Sequence, residues 1–113
     1  MSIGIDIVYM PRFEHKETLA KRILSPAEFA IYEKRSDKVK FIAGRFAAKE
    51  AFLKAVRGGF GQIAFSHISI LYDNLGVPYL EYEQKRYDVS ISHDGEYAVA
   101  IAYVSASRED MEK

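Results

Sequence analysis

The chain has 113 residues, of which 49% are hydrophobic and 28% charged, a composition typical of one soluble globular domain. Its 16 basic and 16 acidic residues cancel, which argues against a broad nucleic-acid-binding surface. The absence of cysteine excludes disulfides, thiolate nucleophiles and cysteine zinc sites. The apolar stretches are too short to span a bilayer and the N-terminal residues do not resemble a signal peptide, so we expect a cytoplasmic protein.

The first half of the chain begins with a strand and continues with helices. Isoleucine alternates with other residues over 3–9, which predicts a strand that ends before Pro11. The polar segment 12–23, with a few apolar anchors, is predicted to be helical. Residues 25–28 offer a serine cap, a proline at the first helical position and a glutamate that can close a capping box, so a short helix should follow to about residue 33.

The longest predicted helix runs from a cap at 36–37 to about Val56, where a pair of glycines ends it. The second half alternates in strand fashion, with turns at 73–76 and 93–95, and its predicted strands are 67–72, 79–83, 87–92 and 97–104. The order of strand, helices and antiparallel strands predicts the α+β class. We expect a single domain over 1–104 and a polar tail over 105–113.

Three charged residues are candidates for chemistry. Asp6 interrupts an apolar strand, either as a solvated side chain of a half-buried strand or as a ligand for a hard cation such as Mg²⁺. Glu50 and Lys54 are four residues apart and share a helix face, so they form either a surface ion pair or part of a phosphate site.

Two further segments each have two interpretations. The loop 58–61 is rich in glycine and could bring a backbone close to phosphate, or could simply end the helix; it is not a P-loop, because it follows a helix and lacks the Lys-Ser/Thr ending. His93, at the end of a predicted strand, is either a solvated turn residue or a contact for a phosphate or sugar.

Taken together, these segments resemble the holo-acyl-carrier-protein synthase family of phosphopantetheinyl transferases. The most specific match is the run Arg-Phe-Ala-Ala-Lys-Glu-Ala at 45–51. The matching segments cover nearly the whole chain in the family's order, and they are 3–8, Arg12, 22–25, 44–55, 76–78 and 89–94.

The resemblance implies a transferase that moves 4'-phosphopantetheine from coenzyme A to a serine of apo acyl carrier protein and releases 3',5'-ADP. Asp6, Glu50 and Lys54 match the family's catalytic residues, the first two as Mg²⁺ ligands and Lys54 as a contact for the pyrophosphate. The carrier's serine would attack the β-phosphate. Either a carboxylate or a metal-bound water would accept the serine proton.

The resemblance also implies contacts with both substrates and a homotrimer with clefts between subunits. The nucleotide end of coenzyme A would be held by Arg45, Lys49, Gly58, Gly59, Gly61, Ser92 and His93. The acidic helix of the carrier protein would be met by Arg12, Lys16, Lys21 and Arg22, which suits charge-steered docking. We expect no nucleic-acid or membrane partner.

Two other hypotheses remain open from the sequence. A non-catalytic module that binds coenzyme A or a nucleotide would keep the 58–61 loop but would not need Glu50. A purely structural α+β oligomer would show no metal-dependent ligand binding.

Overall fold

A five-stranded antiparallel sheet carries the helices in the computed structural model, which describes residues 2–105. The elements in chain order are β1 (Ser2–Tyr9), α1 (Glu17–Ile23), α2 (Pro26–Glu33), α3 (Lys38–Val56), β2 (Ser69–Tyr72), β3 (Pro78–Tyr82), β4 (Lys85–Asp94) and β5 (Tyr97–Val104), with 3₁₀ turns at Met10–Phe13 and Phe65–His67. This arrangement confirms the predicted α+β class. Of the predicted tail, all but Ser105 lies outside the described residues.

The strands are ordered β1-β5-β4-β3-β2, so β1 and β2 form the two edges of the sheet. The long helix α3 packs across one face and supplies more buried core residues than any other element in residues 2–105, including Phe41, Ala47 and Phe52. None of the helices in residues 2–105 has the length and hydropathy needed to cross a membrane.

Strand β1 packs against α3 through its small residues rather than through its isoleucines. Ile3, Ile5 and Ile7 are 57%, 59% and 63% exposed, because they lie on the sheet face that points away from α3. Gly4 lies against α3, and a Cβ at this position would come within 1.8 Å of the carbonyl oxygen of Ala51. This close approach places the next residue on the same face of β1, Asp6, beside the helix.

Two segments differ from the sequence prediction by more than a shift of a strand end. The segment 12–23 is not one helix: a 3₁₀ turn covers Met10–Phe13, and α1 starts only at Glu17. The break lies at His15, whose φ of 58° belongs to the left-handed region and cannot continue a right-handed helix. The turn predicted at 93–95 lies at Gly95 and Glu96 instead, because β4 continues to Asp94.

The N-cap of α3 lies at the predicted position, but its side chain does not cap the helix, and the helix ends at an unpredicted residue. Asp37 is the N-cap residue, but its carboxylate accepts two hydrogen bonds from Arg35 at 2.6 and 2.7 Å instead of capping the helix. At the other end Arg57 adopts the left-handed conformation with a φ of 52°. The pair of glycines at 58–59 therefore follows the stop rather than forming it.

The start of α2 confirms the predicted capping box. The backbone N–H of Glu28 donates to Ser25 Oγ at 3.3 Å, and the backbone N–H of Ser25 donates to Glu28 Oε1 at 2.9 Å. Ser69 in β2 donates its hydroxyl proton to the same Ser25 Oγ at 2.7 Å. One buried hydroxyl thus ties the start of α2 to an edge strand of the sheet.

We expect Ser25→Ala to lower the free energy of unfolding by about 1–2 kcal/mol, because it removes the helix cap and leaves the Ser69 hydroxyl without its acceptor. Urea unfolding followed by circular dichroism measures the change. Ser36→Ala, at an exposed serine, is the matched control and should stay within about 0.5 kcal/mol of the parent protein. Equal effects of the two substitutions would contradict the role assigned to Ser25.

Candidate active site

Asp6, Glu50 and Lys54 meet where β1 packs against α3. The ammonium group of Lys54 donates to Asp6 Oδ1 at 3.1 Å and to the carbonyl oxygen of Ile5 at 2.9 Å. Lys54 therefore bridges to the strand and does not form the simple helix ion pair with Glu50 that its spacing allowed. The side chain of Asp6 is 16% exposed and that of Lys54 is 55% exposed, so the cluster opens to solvent on the lysine side.

The two carboxylates of this cluster act on each other. Partial burial raises the pKa of Glu50 above its ordinary value, and the negative charge of Asp6 raises it further. The positive charges of Lys54 and Arg12 lower the pKa of Glu50 and so work in the opposite direction. A cation held between the two carboxylates would relieve their repulsion.

The donor set fits Mg²⁺. Within residues 2–105 no group of three or more His, Cys, Asp or Glu side chains comes together. Mg²⁺ is commonly held by one or two carboxylates, with substrate phosphates and water completing its octahedral shell. Asp6 and Glu50 supply that number of carboxylates, and their oxygens are hard ligands of the kind this ion prefers.

Arg12 lies beside the carboxylates, on the 3₁₀ turn that follows β1. Its guanidinium lies 5.2 Å from the ring centre of Phe13 and 5.4 Å from that of Phe46, so two aromatic rings hold an otherwise exposed cation. The other three predicted carrier contacts lie on or just before α1, and all three are exposed: Lys16, Lys21 and Arg22.

A second group of cations lines a cavity of about 320 Å³ between the N-terminal half of α3, β4 and the turn joining β2 to β3. This cationic cavity is lined by Arg35, Asp37, Lys40, Phe41, Gly44, Arg45, Tyr72, Pro78, Ile91 and His93. Its one carboxylate, Asp37, is already bound by Arg35. Positive charge therefore exceeds negative charge along the wall, which suits an anionic ligand.

Arg45 and His93, two of the predicted nucleotide contacts, both line this cavity. Burial lowers the pKa of His93 and the charge of Lys40 lowers it further, which keeps the imidazole neutral at neutral pH. Gly44 leaves room for the ring, since a Cβ there would lie 3.4 Å from His93 Nε2. The lining residues Arg35 and Lys40 were missed, although both lie within a few residues of the predicted helix start.

The structure corrects the prediction for Lys49. Its side chain is fully buried, and its ammonium group donates to Glu28 Oε1, to the Ile23 carbonyl at 2.6 Å and to the Phe65 carbonyl at 3.0 Å. All three N–H donors are thus used inside the protein. Lys49 is a core residue in this structure and does not reach the surface where a nucleotide would bind.

Ser92 and His93 are separated although they are neighbours in sequence. Successive residues of a strand point to opposite faces of the sheet, and Ser92 lies opposite Val99 on the face that carries the exposed isoleucines. Only His93 lies on the α3 side with Arg45. Ser92 is therefore not part of the cationic cavity of its own chain.

The glycine loop is closed on itself. The N–H of Gly59 donates to the Val56 carbonyl at 2.9 Å, and the N–H of Gly61 donates to the Gly58 carbonyl at 3.0 Å. These two N–H groups are therefore occupied within the turn that follows the end of α3. Gly58 and Gly61 line a separate open cavity of about 640 Å³ together with Leu53, Val56, Gln62, Ile63, Ala64 and His67.

The carboxylate cluster and the cationic cavity lie on opposite sides of α3. Arg45 and Lys54 are nine residues apart, which at about 100° per residue turns them roughly 180° around the helix. Asp6 belongs to edge strand β1 and Tyr72 to edge strand β2, four strand spacings or about 19 Å apart. Each chain thus carries two half-sites that face in different directions.

Comparison with known proteins identifies the family. The family model described as "4'-phosphopantetheinyl transferase superfamily" matches residues 2–102. A holo-[acyl-carrier-protein] synthase of Geobacillus sp. (strain WCH70) is 43% identical over 109 residues, which are 88% of this chain and 92% of the relative.

Two solved structures are also similar. A holo-(acyl-carrier-protein) synthase from Bacillus anthracis str. Ames, in complex with CoA (3',5'-ADP), has a TM-score of 0.74 at 38% identity, over 89% of this chain and 92% of that one. The Helicobacter pylori enzyme in complex with coenzyme A has a TM-score of 0.77 at 34% identity, over 91% of this chain and 99% of that one. The chain therefore belongs to the holo-acyl-carrier-protein synthase family of the 4'-phosphopantetheinyl transferase superfamily and is a transferase.

Proposed function

We propose that this protein transfers 4'-phosphopantetheine from coenzyme A to a serine of an apo acyl carrier protein, in the cytoplasm and with Mg²⁺, and releases 3',5'-ADP. The observation that carries the proposal is the cluster of Asp6, Glu50 and Lys54 between β1 and α3. Relatives with 41% and 43% identity carry the name of this activity. Two of the similar structures contain coenzyme A or its nucleotide part.

The reaction forms a bond between the serine oxygen and the β-phosphorus of coenzyme A and breaks the bond from that phosphorus to the 5'-phosphate of the leaving 3',5'-ADP. Asp6 and Glu50 would hold Mg²⁺, which when bound offsets charge on the pyrophosphate and orients it. The ammonium group of Lys54 leaves its hydrogen bond with Asp6 and supplies a further positive charge at the same phosphates. A carboxylate or a water at the site accepts the serine proton.

The cationic cavity is the site that we propose for the nucleotide end. With the pyrophosphate at Asp6 and Glu50, the 3'-phosphate is the anionic group of coenzyme A that remains to be bound. Arg45 and the neutral imidazole of His93 offer hydrogen-bond donors there, and Lys40 adds charge.

We propose that two neighbouring subunits of a homotrimer complete one site. The two half-sites of a single chain face opposite ways, so a ligand that touches both is accommodated more easily between neighbouring subunits. The sheet face turned away from α3 offers the contact surface, because it presents an exposed apolar patch made of Ile3, Ile5, Ile7, Tyr9, Tyr97 and Ile101. Contiguous apolar patches of this kind commonly mark protein interfaces.

The proposed docking surface for the carrier protein lies next to the carboxylate cluster. Arg12 is placed beside Glu50 by its contacts with Phe13 and Phe46, and the exposed basic residues of α1 extend the positive charge. An acidic helix would be steered to this side, where its serine can reach the pyrophosphate.

The test of the proposed function is the mass of the carrier protein after incubation with coenzyme A and Mg²⁺. We expect a mass increase of one phosphopantetheine group, which is lost when a chelator removes the metal. Binding of coenzyme A without any transfer to several carriers would favour the non-catalytic binding module instead. Absence of both binding and transfer would favour a structural oligomer.

We expect Ile5→Glu to break the oligomer, because it places a charge in the middle of the exposed apolar face. Sedimentation velocity should show monomers in place of trimers, and transfer activity should fall at least tenfold. Leu75→Glu is the matched control, since Leu75 is 88% exposed at the turn between β2 and β3 and lies outside the apolar face. A parent protein that sediments as a monomer would contradict the trimer.

A further inference from the structure

Two buried cations share one buried carboxylate behind the cationic cavity. Glu28 of α2 is fully buried, as is Lys49, and Arg45 is only 5% exposed. These three residues, the buried charge cluster, carry one negative and two positive formal charges. The cluster therefore keeps one positive charge that no neighbouring carboxylate within it balances.

The hydrogen bonds commit Glu28 to Lys49 and to the backbone. Its Oε1 accepts from Lys49 Nζ and from the backbone N–H of Ser25, and its Oε2 accepts from the backbone N–H of Ile70 at 2.9 Å. Glu28 thereby joins α2, α3 and β2 at one point. The same carboxylate also closes the capping box of α2, so its position is fixed by the fold.

Arg45 is held near this carboxylate without being neutralised by it. Its Nε lies 3.7 Å from Glu28 Oε2, and among the described residues it is a buried side-chain nitrogen with no hydrogen-bond partner. The remaining contacts are long: 3.5 Å to the Ile70 carbonyl and 3.4 Å to the Tyr72 hydroxyl. The guanidinium carbon lies 3.8 Å from the ring centre of Phe41, and both residues line the cavity.

We propose that Glu28 is a positioning residue, which sets the place of Arg45 in the cavity wall and leaves the charge of Arg45 available for the 3'-phosphate of coenzyme A. The proposal rests on the proposed function. Lys49 takes the short ion pair, and Arg45 takes the long one. The backbone of Ile70 links Glu28 to Arg45, because its N–H donates to Glu28 and its carbonyl accepts from Arg45.

The test uses a variant that removes Glu28 without leaving an extra buried charge. Glu28→Gln alone would leave two buried cations unpaired and is expected to unfold the protein. The double variant Glu28→Gln/Lys49→Met keeps the cluster at one net positive charge and replaces lysine by an apolar side chain of similar length. Thermal melting followed by circular dichroism establishes that the double variant is folded before any activity is compared.

We expect the double variant to raise KM for coenzyme A about tenfold and to leave kcat within about threefold. KM for 3'-dephospho-coenzyme A should stay unchanged, because that substrate lacks the group that Arg45 would meet. A merely structural role of Glu28 predicts equal losses with both substrates, and that result would overturn the proposal.

A double-mutant cycle with Arg45→Gln gives the second measurement. If Glu28 acts through Arg45, adding Arg45→Gln to the double variant causes no further loss with coenzyme A. Additive losses would overturn the proposal. The proposed function is tested separately with the parent protein. If the parent transfers phosphopantetheine but the variants lose activity equally with both substrates, only the role of Glu28 is overturned. If the parent neither transfers nor binds 3',5'-ADP, both proposals are overturned.

Discussion

Glu50→Gln should lower kcat for transfer about a thousandfold at saturating coenzyme A and Mg²⁺. The amide replaces one of only two carboxylates in the cluster, so the charge that holds the metal at the pyrophosphate is halved. Charge stabilisation by a bound metal contributes several kcal/mol to the transition state, and about 1.4 kcal/mol corresponds to each factor of ten. The measurement is the steady-state rate of carrier mass change across a Mg²⁺ titration.

The Glu50→Gln variant should be no less stable than the parent, although it is much less active. Burial and Asp6 raise the pKa of Glu50 in the folded protein above its unfolded value. The folded state therefore binds this proton more tightly, and the contribution of Glu50 to stability is lost as the pH rises through the raised pKa. At neutral pH a neutral glutamine removes that cost, so Tm should be unchanged or higher.

Glu33→Gln is the matched control, because Glu33 is an exposed carboxylate on α2 outside the cluster. It should leave both kcat and the Mg²⁺ requirement as they are in the parent. A Glu50→Gln protein that is folded and keeps full turnover would refute the metal role of Glu50 and favour the binding-module hypothesis.

Local patterns single out the members of the carboxylate cluster in the sequence, and the family resemblance groups them into one proposed site. Asp6 is an acid in an apolar strand, and Glu50 and Lys54 share a helix face. Their meeting point was not accessible, since it depends on how closely β1 approaches α3. That approach is set by Gly4 and Ala51, and it turns the isoleucines of β1 outward, where hydrophobicity alone would have placed them in the core.

Lys49 is a predicted site residue that the structure places in the core instead. The resemblance implies that it contacts the nucleotide end of coenzyme A, and its place in the sequence beside Glu50 gives no sign of burial. Its burial depends on Glu28, a residue that the sequence marks only as a capping-box partner. The capping box fully explains Glu28 locally, so the sequence gives no sign that this carboxylate also pairs with Lys49, 21 residues further along the chain.

The glycine loop and Ser92 were predicted from the resemblance and depend on geometry that local patterns do not fix. The N–H groups of Gly59 and Gly61 are occupied within the turn, and the strand alternation turns Ser92 to the other face of the sheet. Ser92 therefore lies on the same face as the apolar patch proposed for subunit contacts. Its role therefore stays a prediction that depends on the proposed trimer.

Gly4→Ala should lower the free energy of unfolding by roughly 3 kcal/mol or more, which is a large fraction of the total for a domain of this size. The added Cβ would lie 1.8 Å from the Ala51 carbonyl oxygen and 2.8 Å from the Ala55 nitrogen. Both are backbone atoms of α3 and cannot rotate away, so β1 must move off the helix. Thermal melting should show a fall in Tm on the order of 10–20 °C.

Gly44→Ala separates this backbone clash from the general effect of adding a methyl group. Its Cβ would meet only side-chain atoms, Ile91 Cγ2 at 3.3 Å and His93 Nε2 at 3.4 Å, which can shift by a few tenths of an ångström. Alanine also favours a helix over glycine by about 1 kcal/mol, so Gly44→Ala should stay close to the parent stability. If Gly4→Ala were equally mild, β1 would not be pressed against α3 as described. Asp6 would then lack the fixed position beside Glu50 on which the proposed metal site depends.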